Sequence, residues 1–359
     1  MSASFSPDYI AARSRFRSGS IALGCRLEEL PIGHDGPDGN PLTIDVAILG
    51  AAEPQKAVVV SSGLHGVEGF FGSAVQAALL EEELGGYKPP DDTALVLIHA
   101  LNPFGFAWIR RVNEDNVDLN RNFLLPDQAY SGVPDTYGQL DGLLNPRTPP
   151  SSLDPFLAKA AFNIAKYGMP ALKNAVAGGQ YEFSKGLFYG GSGPCTTVRL
   201  MDEHLPRWVG SARHVLHIDL HTGLGKSGTY KLLVDHEEGS DRAAWLAQRF
   251  GADVVEPWAP GGVSYAIRGG MGVWCKHRFP ETEYDVMVAE FGTTGPLQVI
   301  AALRAENQAH HWARPEDDVT RRAKTRLREA FAPTKPAWRD TVVARGVRIV
   351  QQAIEALGG

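Results

Sequence analysis

The chain reads as an α/β protein: one mixed, largely parallel twisted sheet with helices on both faces. Two patterns predict the layering. Short apolar runs bounded by Gly, Pro, Asn or Asp read as strands, and the stretches between them have helical spacing. A third observation, polar residues where several runs end, points to the strand mouths, where open α/β sheets collect ligands. The strand-like runs are residues 42–49, 57–61, 95–100, 215–220, 230–234 and 286–291. The helical patterns are 69–83, 155–177, 196–209, 241–250 and 296–311. A segment at 124–193, rich in Pro, Gly, Asp and Ser, reads as an insertion within a single domain spanning 1–359, and 316–359 as peripheral helices.

Bulk properties narrow the class. With 359 residues, 43% of them hydrophobic, the chain can bury a large core. A net charge of −6, with both signs dispersed and no basic stripe, argues against a nucleic-acid partner. Cys25, Cys195 and Cys275 are too few and too scattered for a disulfide framework or a metal knuckle, and read as free thiols. Residues 1–20 lack the apolar core of a signal peptide, and no later stretch reaches membrane-spanning length. The expectation is a cytoplasmic protein with no membrane partner.

The chemistry gathers where strands end. His65 and Glu68 follow the 57–61 run across a glycine-broken turn, and three-residue spacing at the opening of a helix lets imidazole and carboxylate converge on one ion. With eleven His in the chain, such a pair arises by chance roughly half the time. His221 ends another run, and Asp219 and His217 alternate with apolar residues on its side of the strand. Asp219 suits an orienting carboxylate or a structural hydrogen bond, whereas His217 reads as a buried polar residue. Two histidines and one carboxylate leave one position of a tetrahedral zinc site for water. A general base must then stand nearby without being a ligand, and Glu290, ending the 286–291 region's apolar run, is the candidate. On the loop between, Arg121 and Asn120 have donors suited to a free carboxylate, and Arg110 or Arg111 could hold an oxyanion.

His65-x-x-Glu68, the Asn102-Pro103-x-Gly105 turn, the string Val117-Asp118-Leu119-Asn120-Arg121-Asn122-Phe123, Asp219-Leu220-His221 and Glu290 follow one another as in zinc carboxypeptidases of the carboxypeptidase A type. The match covers residues 57–295, and the seven-residue string is its specific part. The whole chain resembles a bacterial branch of that clan without an assigned function, related also to aspartoacylase and succinylglutamate desuccinylase deacylases. The resemblance implies one zinc ion on His65, Glu68 and His221, with Glu290 as general base and then acid. It also implies a substrate carboxylate held by Asn120 and Arg121, an oxyanion met by Arg110 or Arg111, and Tyr265 as a capping residue.

The chain departs from the pattern at Phe104, where many relatives have Asp, in the short gap between the paired arginines and Asn120, and in the 124–193 insertion. The expected activity is hydrolysis of an amide next to a free carboxylate, with a peptide as substrate. The runner-up is deacylation of an N-acyl amino acid. A third reading, a zinc-dependent binding protein, has no use for Glu290.

Overall fold

Successive side chains of a strand point to opposite faces of the sheet, and this alternation decides which of them reach the site. The computed structural model describes residues 2–168, 178–258 and 267–358. Its strands are β1 (Arg26–Asp35), β2 (Pro41–Gly50), β3 (Lys56–Ser62), β4 (Thr93–His99), β5 (His214–Thr222), β6 (Tyr230–Glu237), β7 (Val255–Trp258) and β8 (Glu283–Phe291). They form one eight-stranded sheet in the order β1-β2-β4-β3-β5-β8-β6-β7. Pairing is parallel through the centre, from β4 to β3, β5 and β8, and again between β6 and β7. It is antiparallel at β1–β2, β2–β4 and β6–β8.

Both faces are buried, as central parallel strands require. Val59 on β3, Val215 on β5 and Val286 on β8 belong to one apolar cluster. Val58 and Val60, Leu216 and Ile218, and Met287 and Ala289 belong to the cluster on the other face. His217, Asp219 and His221 therefore share the side of Val215, as the sequence predicts.

Helices α1 (Tyr9–Ala22), α2 (Gly69–Ala78), α3 (Pro103–Ala107), α4 (Asp135–Leu144), α5 (Phe156–Tyr167), α6 (Thr196–Val209), α7 (Asp241–Phe250), α8 (Met271–Arg278), α9 (Pro296–Trp312), α10 (Asp318–Phe331) and α11 (Pro336–Gly358) complete the described residues. None of them is long and apolar enough to cross a membrane. All six expected strands and the major helices are present. The 69–83 pattern is α2 continued by a wider turn at Leu79–Glu83, and the 155–177 pattern is described only as α5, because 169–177 lie outside the described residues.

The elements that sequence reading missed have weak apolar signals. In β1 only Leu30 and Ile32 are buried, because it is an edge strand, and β7 has four residues including Pro257. In α1 a narrow stripe of Tyr9, Ala12 and Phe16 is masked by Arg13, Arg15 and Arg17. Two of those arginines pair with the buried carboxylate of Asp45 on β2.

The 124–193 segment carries α4 and α5 and is fastened to the loop that precedes it. The Asp118 N–H donates to Tyr189 O at 2.7 Å, the Asn122 amide to Gly190 O at 2.7 Å, and the Tyr181 hydroxyl to Arg121 O at 2.7 Å.

Candidate metal centre

Two neighbouring strand ends and one tight turn bring the site together. After β3 the chain makes a 3-10 turn at Gly66–Glu68 and enters α2, so His65 and Glu68 leave the sheet edge on the same side. A side chain at Gly66 would place its Cβ 2.1 Å from the Gly105 carbonyl carbon, so only glycine allows the turn to press against α3. The Gly66 and Val67 N–H groups donate to Arg111 O at 3.0 Å and Arg110 O at 2.8 Å, which straps the arginine loop to the same turn. Parallel pairing of β5 and β8 sets His221 directly opposite Glu290.

His65, Glu68 and His221 are buried, and one potential ligand atom from each lies within 4.8 Å of the others. His65 Nδ1 is 2.9 Å from Glu68 Oε1, and His221 Nδ1 is 3.2 Å from Glu68 Oε2. The far nitrogens have carboxylates of their own: His221 Nε2 is 2.5 Å from Asp219 Oδ2, and His65 Nε2 is 3.2 Å from Asp118 Oδ1. A carboxylate on Nε2 fixes the ring and leaves Nδ1 free to bind a cation, the usual support for a metal-ligating histidine. Arg111 Nη2 also lies 2.7 Å from His65 Nε2, so a guanidinium and a carboxylate both face that nitrogen. Two imidazoles and a carboxylate that converge in this way fit a metal ion by their chemistry.

Electrostatics agree with that fit. Burial depresses the His221 imidazole, but Asp219 and Glu68 outweigh it and raise its pKa well above the ordinary value. Burial pushes the Glu68 carboxyl up, yet the two histidines hold it far below the usual range. The negative charge that holds the proton on His221 is the charge that would favour a cation there.

Asp219 is itself held by a buried relay that sequence reading did not find. Ser61 Oγ donates to Asp219 Oδ1 at 2.6 Å and lies 2.8 Å from His217 Nε2, while His217 Nδ1 is 3.1 Å from the Tyr284 hydroxyl. Burial pulls the His217 pKa down to about 4, so it is neutral and serves as a hydrogen-bond bridge. The available signal was positional, since Ser61 pairs with Asp219 across β3 and β5, and His217 is two residues before Asp219 on the same face.

Glu290 stands beside this group. Its Oε1 accepts the Leu224 N–H at 2.9 Å, and burial together with the negative charge of Glu68 raises its pKa to about 7. Arg111 donates through Nε to Asp118 at 3.0 Å and through Nη1 to Glu68 at 3.3 Å. Phe188, held in the left-handed region at φ 58°, sets its ring 5.8 Å from that guanidinium.

The structure separates the two adjacent arginines. Arg110 turns away into a fully buried ion pair with Glu306 of α9, at 3.0 Å, and bonds Asn116 at 3.0 Å. Arg121 is buried with Nη1 on Asn120 O at 2.8 Å, Nε unpartnered, and no ion pair among the described residues. The Asn120 side chain accepts the Met271 N–H at 3.2 Å. Tyr265 lies outside the described residues.

An eight-stranded, mostly parallel α/β sheet with a buried His-Glu-His group that could hold a metal ion at the ends of its central strands defines the class of fold and site. Within that class the chain belongs to the family described as "Protein of unknown function (DUF2817)", whose model matches residues 5–345.

No curated protein matches the sequence. Among solved structures, the chain is similar to carboxypeptidase A from Helicoverpa armigera, with 13% identity over 90% of this chain and 74% of that one and a TM-score of 0.49. It is similar to the murein-tripeptide amidase MpaA from Escherichia coli O157, with 18% identity over 81% and 93% of the two chains and a TM-score of 0.38. An aspartoacylase family protein from Mesorhizobium loti aligns at 14% identity over 80% and 66%, with a TM-score of 0.39. Identities this low leave activity to be argued from the site itself.

Proposed function

We propose that this protein is a zinc-dependent hydrolase that cleaves an amide bond next to a free carboxylate. The observation that carries the reading is the pairing of a metal-competent group with a second carboxyl that is not part of it. The Nδ1 atoms of His65 and His221 face Glu68, and Glu290 stands apart with its pKa raised to about 7. A protein that only stores or binds a metal has no use for such a group.

His65, Glu68 and His221 would hold the ion, and their two-nitrogen, one-carboxylate set suits zinc with one open position. When bound, the ion would supply Lewis acidity toward a carbonyl and lower the pKa of water. Glu290 takes the proton of the attacking water and delivers it to the leaving nitrogen. A carboxyl that titrates near neutrality can do both. Arg111, whose guanidinium already lies against Glu68 and His65, is the donor for the oxyanion, and Arg110 takes no part.

Arg121 is the anchor for the substrate carboxylate, supported by its burial, its unpartnered Nε and its lack of an ion pair among the described residues, and Asn120 assists it. Tyr265 remains the candidate cap.

A second reading keeps this machinery but acts on N-acyl amino acids. It is favoured by the insertion, because Gly179 packs onto the Arg121 side chain and Tyr181 bonds the Arg121 carbonyl, which encloses the anchor and suits a short substrate. One experiment tests both: zinc-loaded wild type and Glu290→Gln are incubated with short peptides and N-acyl amino acids and read by mass spectrometry. Cleavage of either set by wild type alone identifies the bond, and equal cleavage by both proteins refutes the assigned base.

A further inference from the structure

A cavity of about 800 Å³ lies between the loop after β8, α10 and Trp338 of α11. Two loops make its floor. Thr293 and Thr294 follow Glu290 on the loop after β8, and Ser227 lies on the loop after β5, the strand of His221. The Thr222 hydroxyl donates to Phe331 O at 2.7 Å, which ties the end of α10 to the residue after His221. The cavity therefore shares its supporting loops with the candidate centre.

Its chemistry is that of an anion site. Arg322, Arg326 and Lys335 line it and form no ion pair among the described residues. Arg322 and Arg326 are four residues apart on α10, so their side chains share one face. Of the two acids in the wall, Asp318 pairs with Arg321 and Glu329 keeps its charge while accepting the Thr334 N–H at 3.0 Å, so the four cations Arg321, Arg322, Arg326 and Lys335 outnumber the carboxylates. Thr293 is only 5% exposed, yet its hydroxyl has no hydrogen-bond partner. A buried hydroxyl left unpaired costs free energy that an incoming acceptor would recover. Directly after these threonines begins the seventeen-residue α9, whose positive end adds to the same field.

We propose that this cavity is a subsite for a second anionic group of the substrate, a carboxylate or a phosphate. The guanidinium groups of Arg322 and Arg326 give planar forks for its oxygens, Lys335 adds a point charge, and Thr293 donates its hydroxyl. This inference rests on the hydrolase reading for the identity of its ligand as substrate, but not for the presence of the site. It implies that substrates carry an acidic group beyond the carboxylate at Arg121.

The test uses the zinc-loaded full chain and two independent measurements. In the first, calorimetry reads binding of inorganic phosphate and of succinate to Arg121→Ala and to Arg121→Ala/Arg322→Ala/Arg326→Ala. Ions that reach the metal are common to both proteins, so the difference belongs to the cavity. Affinity in the triple variant should fall about ten-fold or more, as expected when charge-assisted bonds are lost. Equal affinities for both ions overturn the proposal. Because both arginines are exposed, folding should be unaffected, and Thr293→Val gives a second, nearly isosteric variant expected to weaken binding in the same direction.

In the second measurement, kcat/KM is compared for peptide pairs that differ only in Glu against Gln, or phosphoserine against Ser. Wild type should prefer the anionic member through KM, and Arg322→Ala/Arg326→Ala should lose the preference with kcat retained. A preference confined to Glu or to phosphoserine identifies the anion as carboxylate or phosphate. If no peptide is cleaved, the peptidase reading fails while calorimetry still decides the cavity. Cleavage without preference, together with equal affinities, leaves the hydrolase standing and removes the subsite.

Discussion

At the scale of single residues, the centre depends on which nitrogen of each histidine is left free. Asp219 holds His221 Nε2 and is itself held by Ser61 and His217. Asp219→Asn should weaken zinc affinity by about 10–100-fold, measured by competition with a chelator, because the outer partner of the ligand is lost. Glu290→Gln should retain zinc and lose about 10²–10⁴-fold in kcat. The pH dependence has a definite sign. Glu290 must be ionised to accept a proton, so kcat/KM should rise with pH through the range around its value of about 7, and a bound cation should move that limb downward. A profile that falls across that range would contradict the assignment. Arg121→Ala should weaken substrates with a free carboxylate and leave amidated ones little changed, and equal losses for both would remove the anchor role.

Between elements, the ion pair of Arg110 with Glu306 holds the arginine loop against α9. Glu306 lies between Arg110 and Lys324, at 3.0 and 2.6 Å, and although burial pushes its carboxyl up, these cations bring the pKa down to about 2. Glu306→Gln leaves a buried guanidinium unpaired and should cost about 3–5 kcal/mol in denaturant unfolding. The double variant Arg110→Met/Glu306→Gln should recover part of that loss, since the uncompensated charge is gone. A depressed carboxyl stabilises the native state above its ordinary value of 4.5, and this contribution disappears as pH falls toward about 2. Acid unfolding of Glu306→Gln should accordingly start from lower stability and show a shallower slope over that interval. The loop also feels the insertion, because Tyr189 accepts the Asp118 N–H while Phe188 faces Arg111.

For the whole molecule, the buried Glu290 carboxyl at the end of β8 makes stability depend on pH. Glu290 is raised by burial and by Glu68, so its native state favours the proton. As pH climbs from 4.5 through about 7 the unfolded chain releases that proton more readily, and stability from this group declines. Zinc should reverse the loss. At a free concentration of about 100 Kd it adds about 2.7 kcal/mol, visible as a rise in Tm that a chelator abolishes. Because His221 holds its proton well above the ordinary imidazole value, metal uptake should release protons and weaken on acidification. A Tm that zinc does not move would exclude a preformed site.

Much of this was legible in the residues alone. Apolar runs such as 57–61 and 215–220 announce buried strands, since a central parallel strand is apolar on both faces. Polar residues that interrupt those runs at His65, His221 and Glu290 mark the site for the same reason, because burial penalises them unless they are partnered. The edge strands β1 and β7 escaped because a half-exposed strand carries too few apolar residues to stand out. The roles of neighbouring residues were equally hidden. Arg110 and Arg111 are adjacent and chemically identical, and only the packing of α9 sends one to Glu306 and the other to Glu68. Ser61 and His217 are 156 positions apart, and parallel pairing of β3 with β5 makes them partners. The residue types determined which chemistry the chain can perform. Only the tertiary structure decided which side chain performs it, because distance between side chains is set by strand register and packing, and neither is written in any local stretch of sequence.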